Sequence, residues 1–329
     1  MILVSFGTRP EWIKIKPVVE AMKGKISYRL LFTGQHTDLL SDVDSQVIKL
    51  DMKRGINRLD SIVQSIMNQE RVFSGVSSVL VQGDTSSAFA VALAAFHRKL
   101  NLIHLEAGLR TFSRNPYPEE FNRRSISCMA NLHLCPTKES GLNLLAEKVN
   151  GDIRVVGNTA LDNLNGVPVS YDNSVLITLH RRENHDLVKQ WFKSFEELAQ
   201  KYPDYSFTLP IHPNPNVQKY RDLLQSVKVL EPMPHEDFVT KMAKSKLLIT
   251  DSGGLQEEGA FLRKKCIVCR DETERPEGLG NFSFLANPDN IEHVFQQVLE
   301  RPVPTGECPY GDGKSSSKII KILESCQYV

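Results

Sequence analysis

The chain has 329 residues, 41% of them hydrophobic and 24% charged, with a formal net charge of +1. That balance excludes a general attraction to nucleic acid or to an anionic membrane, so any basic site must be local. The longest apolar run, Ala88 to Phe96, is far short of the ~20 residues that span a bilayer, and the amino terminus enters a strand with no basic leader, so a cytoplasmic location is expected.

Met1 to Phe6 is a short apolar strand that stops at Gly7-Thr8-Arg9-Pro10, and Glu11 to Met22 has helical spacing through Trp12, Ile15, Val18, Val19 and Met22. Further strands are predicted at 29–33, 79–82, 102–105, 132–135 and 154–156, with helices at about 59–77, 85–98, 119–130 and 137–148. A polar, proline-bearing segment at 163–173 reads as a linker. The alternation then restarts, with strands at 175–179, 206–210, 228–230, 247–250 and 266–269 and helices near 186–200, 214–225, 235–243 and 254–262. Two helices, 289–299 and 314–325, close the chain. Strands too apolar to face water on either side, each followed by a helix, indicate parallel doubly wound sheets. The fold class is α/β, with two Rossmann-like doubly wound domains facing across a cleft. The N-terminal domain is expected over 1–162, the linker over 163–173 and the C-terminal domain over 174–308, with a terminal helix in 309–329 packing back on the first domain.

The chemistry concentrates in polar turns after the strands. Asp251-Ser252-Gly253-Gly254 separates an apolar strand from the helical Leu255-Gln256-Glu257-Glu258. Glycines there allow close backbone approach, and the unpaired amides that open a helix seat phosphate. The strand ending at Cys269 delivers Arg270 and Arg275 to the same edge. In the first half, Arg9 and Lys14 put two cations at a helix N-terminus, where the dipole favours an anion. Asp84, Glu106 and Glu119 fall on the carboxyl-end edge of one sheet; Asp84 also reads as a helix cap, and Glu119 as an ordinary first-turn acid. Carboxylates gathered at one edge raise one another's pKa values, which is one route to acids and bases near neutral pH. His180, followed by Arg181 and Arg182, ends the first strand of the second half, or else forms a surface basic patch. Phe238 reads either as core or as an aromatic wall for a flat base.

Neither half holds the G-x-G-x-x-G of dinucleotide binding, and the Walker pattern is absent. Cys266 and Cys269 form a lone C-x-x-C inside a strand pattern, and His180 and His185 are five apart with Arg181 and Arg182 between them, so neither a metal nor a cofactor is assigned. The physical reading is a two-lobed enzyme, with a phosphate-binding C-terminal lobe and clustered carboxylates in the N-terminal one.

The ordered blocks G-T-R-P-E-x-I-K at 7, G-Q-H at 34, G-D-T at 83, E-A-G-L-R-T at 106 and P-E-E-x-N-R at 118 are followed by G-N-T at 157, H-R-R-E-N at 180 and H-P-N-P at 212. D-S-G-G-L-Q-E-E at 251, E-R-P-E-G at 274 and P-Y-G-D-G-K-S-S at 309 complete them. Together they resemble the non-hydrolysing UDP-N-acetylglucosamine 2-epimerases over nearly the whole chain. The resemblance implies a glycosyltransferase-B type of fold, a homodimer, no redox cofactor, and interconversion of UDP-N-acetylglucosamine and UDP-N-acetylmannosamine through elimination of UDP to a 2-acetamidoglucal. It implies acid–base roles for Asp84, Glu106, Glu119 and His180, and nucleotide-sugar contacts for Arg9 and Lys14, with Arg123 orienting Glu119. It further implies UDP contacts for His212, Phe238, Ser252, Gly253, Gly254, Glu258 and Arg275. Gln35 and His36 match a motif that helps bind a second, activating UDP-N-acetylglucosamine. A hydrolysing epimerase, an epimerase for a related UDP-2-acetamido sugar, a glycosyltransferase of the same fold and a non-catalytic nucleotide-sugar binder are the alternative readings. The acid–base set speaks against the last.

Overall fold

Parallel strand pairing organises both halves of the chain. The computed structural model describes residues 1–35, 47–50, 57–181 and 184–325. The chain divides into two compact units, one made of Met1–Asn163 with Gly311–Val329 and the other of Leu164–Tyr310.

The first unit runs β1 (Ile2–Phe6), α1 (Arg9–Met22), β2 (Tyr28–Phe32), β3 (Val47–Lys49), α2 (Arg58–Met67), α3 (Glu70–Phe73), β4 (Ser78–Gln82) and α4 (Ser86–His97). It continues with β5 (Asn101–Leu105), α5 (Glu119–Met129), β6 (Leu132–Cys135), α6 (Lys138–Ala146) and β7 (Asp152–Val155). The second unit runs β8 (Asp172–Thr178), α7 (Val188–Lys201), β9 (Ser206–Pro210), α8 (Pro215–Gln218), β10 (Lys228–Leu230), α9 (His235–Lys244) and β11 (Ser245–Thr250). It ends with α10 (Gly253–Phe261), β12 (Lys265–Cys269), β13 (Ser283–Ala286) and α11 (Ile291–Glu300), after which α12 (Ser315–Ser325) belongs to the first unit.

The first sheet has the order β3-β2-β1-β4-β5-β6-β7 and the second β10-β9-β8-β11-β12-β13, with every ladder between these strands parallel. One face of the first sheet packs Phe6, Phe32 and Leu80 against Trp12, Ile15 and Val19 of α1 and Ile319, Ile320 and Leu323 of α12. The other face packs Leu3, Val79 and Val81 against α2, α4 and α5. Six apolar side chains of α4, from Ala88 to Ala95, are buried together, as a helix covered nearly all round requires. In the second unit Trp191, Phe192 and Phe195 of α7 and Phe295 of α11 fill the core beside β8, β9, β11 and β12.

Two short edge strands, β3 and β13, depart from the sequence expectation, and the helix expected over 59–77 is two helices broken at Asn68 and Gln69. The helix expected over 214–225 contracts to the four-residue α8 and a 3-10 turn at Arg221–Leu223. Among the described residues no helix is long and apolar enough to cross a membrane.

His104 of β5 lies fully buried opposite His133 of β6, with Nε2 at 2.8 Å from the Gly83 carbonyl. Burial lowers its pKa from 6.5 to about 3, against the pull of that carbonyl. The unfolded chain therefore takes up a proton below pH 6.5 that the folded state refuses. Its contribution to stability is intact above that pH and falls on acidification towards pH 3 by up to about 1.4 kcal/mol per pH unit. His104→Gln should flatten the fall of melting temperature between pH 6.5 and 4; an unchanged slope in thermal denaturation would contradict this.

Candidate active site

In each sheet the chain reverses its winding between two adjacent strands, and ligands of open parallel sheets bind outside the carboxyl ends at such points. In the first unit these strands are β1 and β4. The turn after β1 is fixed by Glu11, whose carboxylate accepts from the amides of Gly7 (3.0 Å) and Thr8 (2.7 Å) and from the Thr8 hydroxyl (2.7 Å). It also accepts from the Thr85 hydroxyl at 2.8 Å, which joins the β1 turn to the β4 turn. Burial raises the pKa of Glu11, and these donors oppose the rise. Gly7 has no room for a side chain, since a Cβ there would fall 2.2 Å from the hydroxyl oxygens of Ser87 and Thr33.

Thr85, not Asp84, caps α4, its hydroxyl accepting from the Ala88 amide at 3.0 Å. The Asp84 carboxylate instead receives Arg123, whose Nε donates to Oδ2 at 2.9 Å and whose Nη2 reaches the same oxygen. Asn122 donates to the Asp84 carbonyl at 2.8 Å. Glu106 occupies the left-handed region at φ +64, and its Oε2 accepts from Lys14 Nζ at 2.5 Å and from Gln82 Nε2. A non-glycine residue held in this region after a strand is strained backbone of the kind found at functional sites. Asp84 and Glu106 thus do not form a bare acidic cluster; each meets its own cation. Lys14 answers to Glu106, and Arg9 lies exposed at the first residue of α1.

Glu119, half-buried, opens α5. Arg123 reaches its neighbour Glu120, Nη1 to Oε2 at 3.3 Å, as well as Asp84. Gln35 Oε1 accepts from the Ser87 amide (3.2 Å) and hydroxyl (2.8 Å), while His36 lies outside the described residues.

In the second unit the reversal lies between β8 and β11. Asp251, fully buried after β11, accepts from the amides of His180 (2.9 Å) and Arg181 (2.8 Å) and from Asn184 Nδ2 (3.0 Å). It faces His180 Nδ1 at 3.4 Å. Asn184 in turn accepts from Trp191 Nε1, which ties the loop to the core. The His180 ring stacks on His212 at 5.9 Å. Burial lowers the pKa of His180, with Asp251 opposing and Arg181 assisting, so the imidazole is neutral at neutral pH. Burial likewise lowers His212, with His180 adding to the effect. These two rings, Phe238, Met233, Pro213 and Leu255 line a cavity of about 250 Å³. Phe238 is therefore a wall side chain rather than part of the core.

Ser252 precedes α10, and its hydroxyl makes no cap bond to the helix. A Cβ on Gly253 would fall 2.5 Å from Arg275 Nη1, so glycine here admits the guanidinium against the helix start. Arg275 Nε donates to Glu257 at 2.9 Å and Nη1 pairs with Glu274. Glu274 also receives Arg270 at 2.5 Å and Arg181 at 3.4 Å. Burial opposes ionisation of Glu274, but Arg275, Arg270 and Arg181 outweigh it and hold the carboxyl well below the usual carboxylate range. Arg275 lies against the amides that open α10, an arrangement suited to an anion. Glu258 is buried on the same helix. Cys266 and Cys269 are free thiols buried in β12, and burial raises the pKa of both. Among the described residues no group of three or more His, Cys, Asp or Glu is placed to hold a metal ion.

Sequence reasoning missed Glu11, Gln82, Glu120, Asn184, Asp251 and Glu274 as organisers of these turns. The Thr8-x-x-Glu11 spacing is a capping box and could have revealed Glu11. Gln82 and the Asn184–Asp251 pair meet partners 24 or more residues away, Glu120 competes with an equally spaced neighbour on a helix, and Glu274 gathers Arg270 and Arg275 in an irregular segment where no periodicity marks the pairing.

Two Rossmann-like parallel units in one chain, each with charged turns at its reversal point, define an α/β protein of the glycosyltransferase-B class. The family model for UDP-N-acetylglucosamine 2-epimerase matches residues 20–324, and the chain belongs to that family. It is 39% identical to the UDP-N-acetylglucosamine 2-epimerase of Neisseria meningitidis serogroup A, with 98% of each chain covered. It is 36% identical to that of Bacillus subtilis, covering 98% of this chain and 94% of the relative. The crystal structure of the Neisseria meningitidis enzyme bound to UDP-GlcNAc matches with a TM-score of 0.89 at 35% identity, covering 99% of this chain and all of that one. The Methanocaldococcus jannaschii enzyme in complex with UDP-GlcNAc and UDP gives 0.85 at 30% identity, with 99% of each chain covered.

Gly253→Ala should displace the Arg275 guanidinium and destabilise the protein by about 1–3 kcal/mol, the usual cost of overpacking. Thermal denaturation reads this directly, and an unchanged melting temperature would show that Arg275 moves aside without loss.

Proposed function

We propose that this protein interconverts UDP-N-acetylglucosamine and UDP-N-acetylmannosamine without net hydrolysis. The observation that carries the reading is the pair of cation-held carboxylates at the N-terminal reversal point, Glu106 with Lys14 and Asp84 with Arg123. Inverting carbon 2 of an acetamido sugar requires a positioned base to remove its proton and a positioned acid to return one. The C2–H electron pair becomes the C1=C2 double bond as the C1–O bond to UDP breaks, leaving a 2-acetamidoglucal. Protonation at C2 from the opposite face, with the UDP oxygen re-adding at C1, completes the exchange without oxidant, reductant or water.

Asp84, Glu106, Glu119 and His180 carry the proton transfers, and the neutral imidazole of His180 can accept a proton. Arg9 and Lys14 meet the nucleotide-sugar, where cations stabilise the charge that develops on the departing diphosphate, and Arg123 holds Asp84 in place. Ser252 and the amides of Gly253 and Gly254, with Arg275 beside them, take the diphosphate, and the Glu258 carboxylate takes ribose hydroxyls. His212 and Phe238 wall the pocket for the base. Support for the UDP assignment comes from the relatives of known structure, two of which contain UDP-GlcNAc.

Asp84→Asn and Glu106→Gln should each lower kcat by about 10²- to 10⁴-fold, the range expected for loss of a general acid or base. UDP binding measured by calorimetry should stay within about threefold of wild type. Ser252→Ala should instead weaken UDP binding about tenfold, the loss of one hydrogen bond to a charged group. Wild-type turnover in either carboxylate variant would contradict the assignment.

A further inference from the structure

We propose that Glu120 is a positioning residue: it shares Arg123 with Asp84 and thereby keeps Asp84 and the loop that follows Glu106 in register. The inference rests on the acid–base reading of Asp84 and Glu106 given above. α5 starts with two adjacent glutamates, and the structure treats them differently. Glu119 is half-buried, whereas Glu120 is only 2% exposed. A carboxylate taken out of water is costly unless donors compensate it, and Glu120 is poorly compensated. Its Oε2 accepts from the Thr111 amide at 3.2 Å and from Arg123 Nη1 at 3.3 Å, both long for charge-assisted bonds. Its Oε1 is buried and meets no hydrogen-bond donor among the described residues.

The other side of the same guanidinium grips Asp84 through Nε and Nη2. One arginine, 5% exposed, is thus held between a carboxylate at the sheet edge and a carboxylate beneath it. Thr111 lies five residues after Glu106, and the intervening segment is held at two points. Gly108, at φ +87, abuts the Ser140 carbonyl, where a Cβ would fall 2.1 Å from the oxygen. Arg110 donates to both oxygens of Glu147 at 2.8 Å. The contacts form a chain from Asp84 through Arg123, Glu120 and Thr111 to the Glu106 loop. Well-packed apolar residues often replace buried ion pairs without loss of stability. A buried acid with an unmet oxygen is therefore explained better by the geometry it imposes on Arg123 than by stability.

The test is a double-mutant cycle with UDP-N-acetylglucosamine as substrate, comparing wild type, Glu120→Gln, Arg123→Met and the double variant, with melting temperature recorded for each. Glu120→Gln keeps the side-chain volume and removes the charge. It should lower kcat about 10- to 100-fold, as a displacement near 1 Å of a catalytic group does, with KM within about threefold. Because Glu120 acts through Arg123, the same change made on Arg123→Met should lower kcat by less than about twofold further. Glu120→Asp, which restores the charge one methylene short, should recover part of the lost kcat, and it serves as the test if Glu120→Gln does not fold. Wild-type kcat in Glu120→Gln, no recovery in Glu120→Asp, or losses that simply multiply in the double variant would overturn the inference. A wild-type protein that fails to epimerise would overturn the underlying reading, before any variant is compared.

Discussion

A parallel sheet sends every strand out at the same edge, and the chain must then leave for a crossover helix before it can pair again. That constraint places the functional groups here. Gly7-Thr8-Arg9, Gly83-Asp84 and Glu106 follow β1, β4 and β5 of one sheet; His180 and Asp251-Ser252 follow β8 and β11 of the other. Where adjacent strands lead in opposite directions, the helices part and the strand ends are left open to a ligand. Both polar sites fall at those points.

Turns at such positions have to be held, and the chain does so twice with a device that it also uses elsewhere. Glu11, Asp251 and Glu196 are carboxylates that each accept from several fixed donors, mostly backbone amides. Glu11 joins the turns after β1 and β4, Asp251 shapes the loop bearing His180, and Glu196 anchors the segment at Gln225 and Ser226 ahead of β10. Buried anions supplied with amide donors act as internal caps, and they leave the working groups on rigid backbone. Arg123 between Asp84 and Glu120, and Glu274 among Arg181, Arg270 and Arg275, fix guanidiniums in place, so that little reorganisation is needed when a charged substrate arrives.

Alternation of apolar strands and amphipathic helices made the two parallel sheets legible from the residues alone, because strands buried on both faces carry continuous apolar runs. The edge strands β3 and β13, three and four residues long, did not stand out from the polar segments around them as the equally short β10 did. Local spacing also could not settle side-chain partners. On a helix, residues three and four apart are both neighbours, so Glu119 and Glu120 were equally spaced to meet Arg123; packing of α5 against the β4 turn brings Arg123 to Glu120. Asp84 also admitted a cap reading, and the structure gives the cap to the adjacent Thr85 hydroxyl. The Lys14–Glu106 pair spans 92 residues, and only the sheet order, with β4 lying between β1 and β5, brings the two together.

The central claim is proton loss at carbon 2 of a UDP-acetamido sugar with the UDP retained in the product. Incubating the protein with UDP-N-acetylglucosamine in deuterated water and following the proton NMR spectrum tests this directly. UDP-N-acetylmannosamine carrying deuterium at carbon 2 is the predicted result. Accumulation of free N-acetylmannosamine with UDP, or an unchanged substrate spectrum from protein that binds UDP, would contradict it.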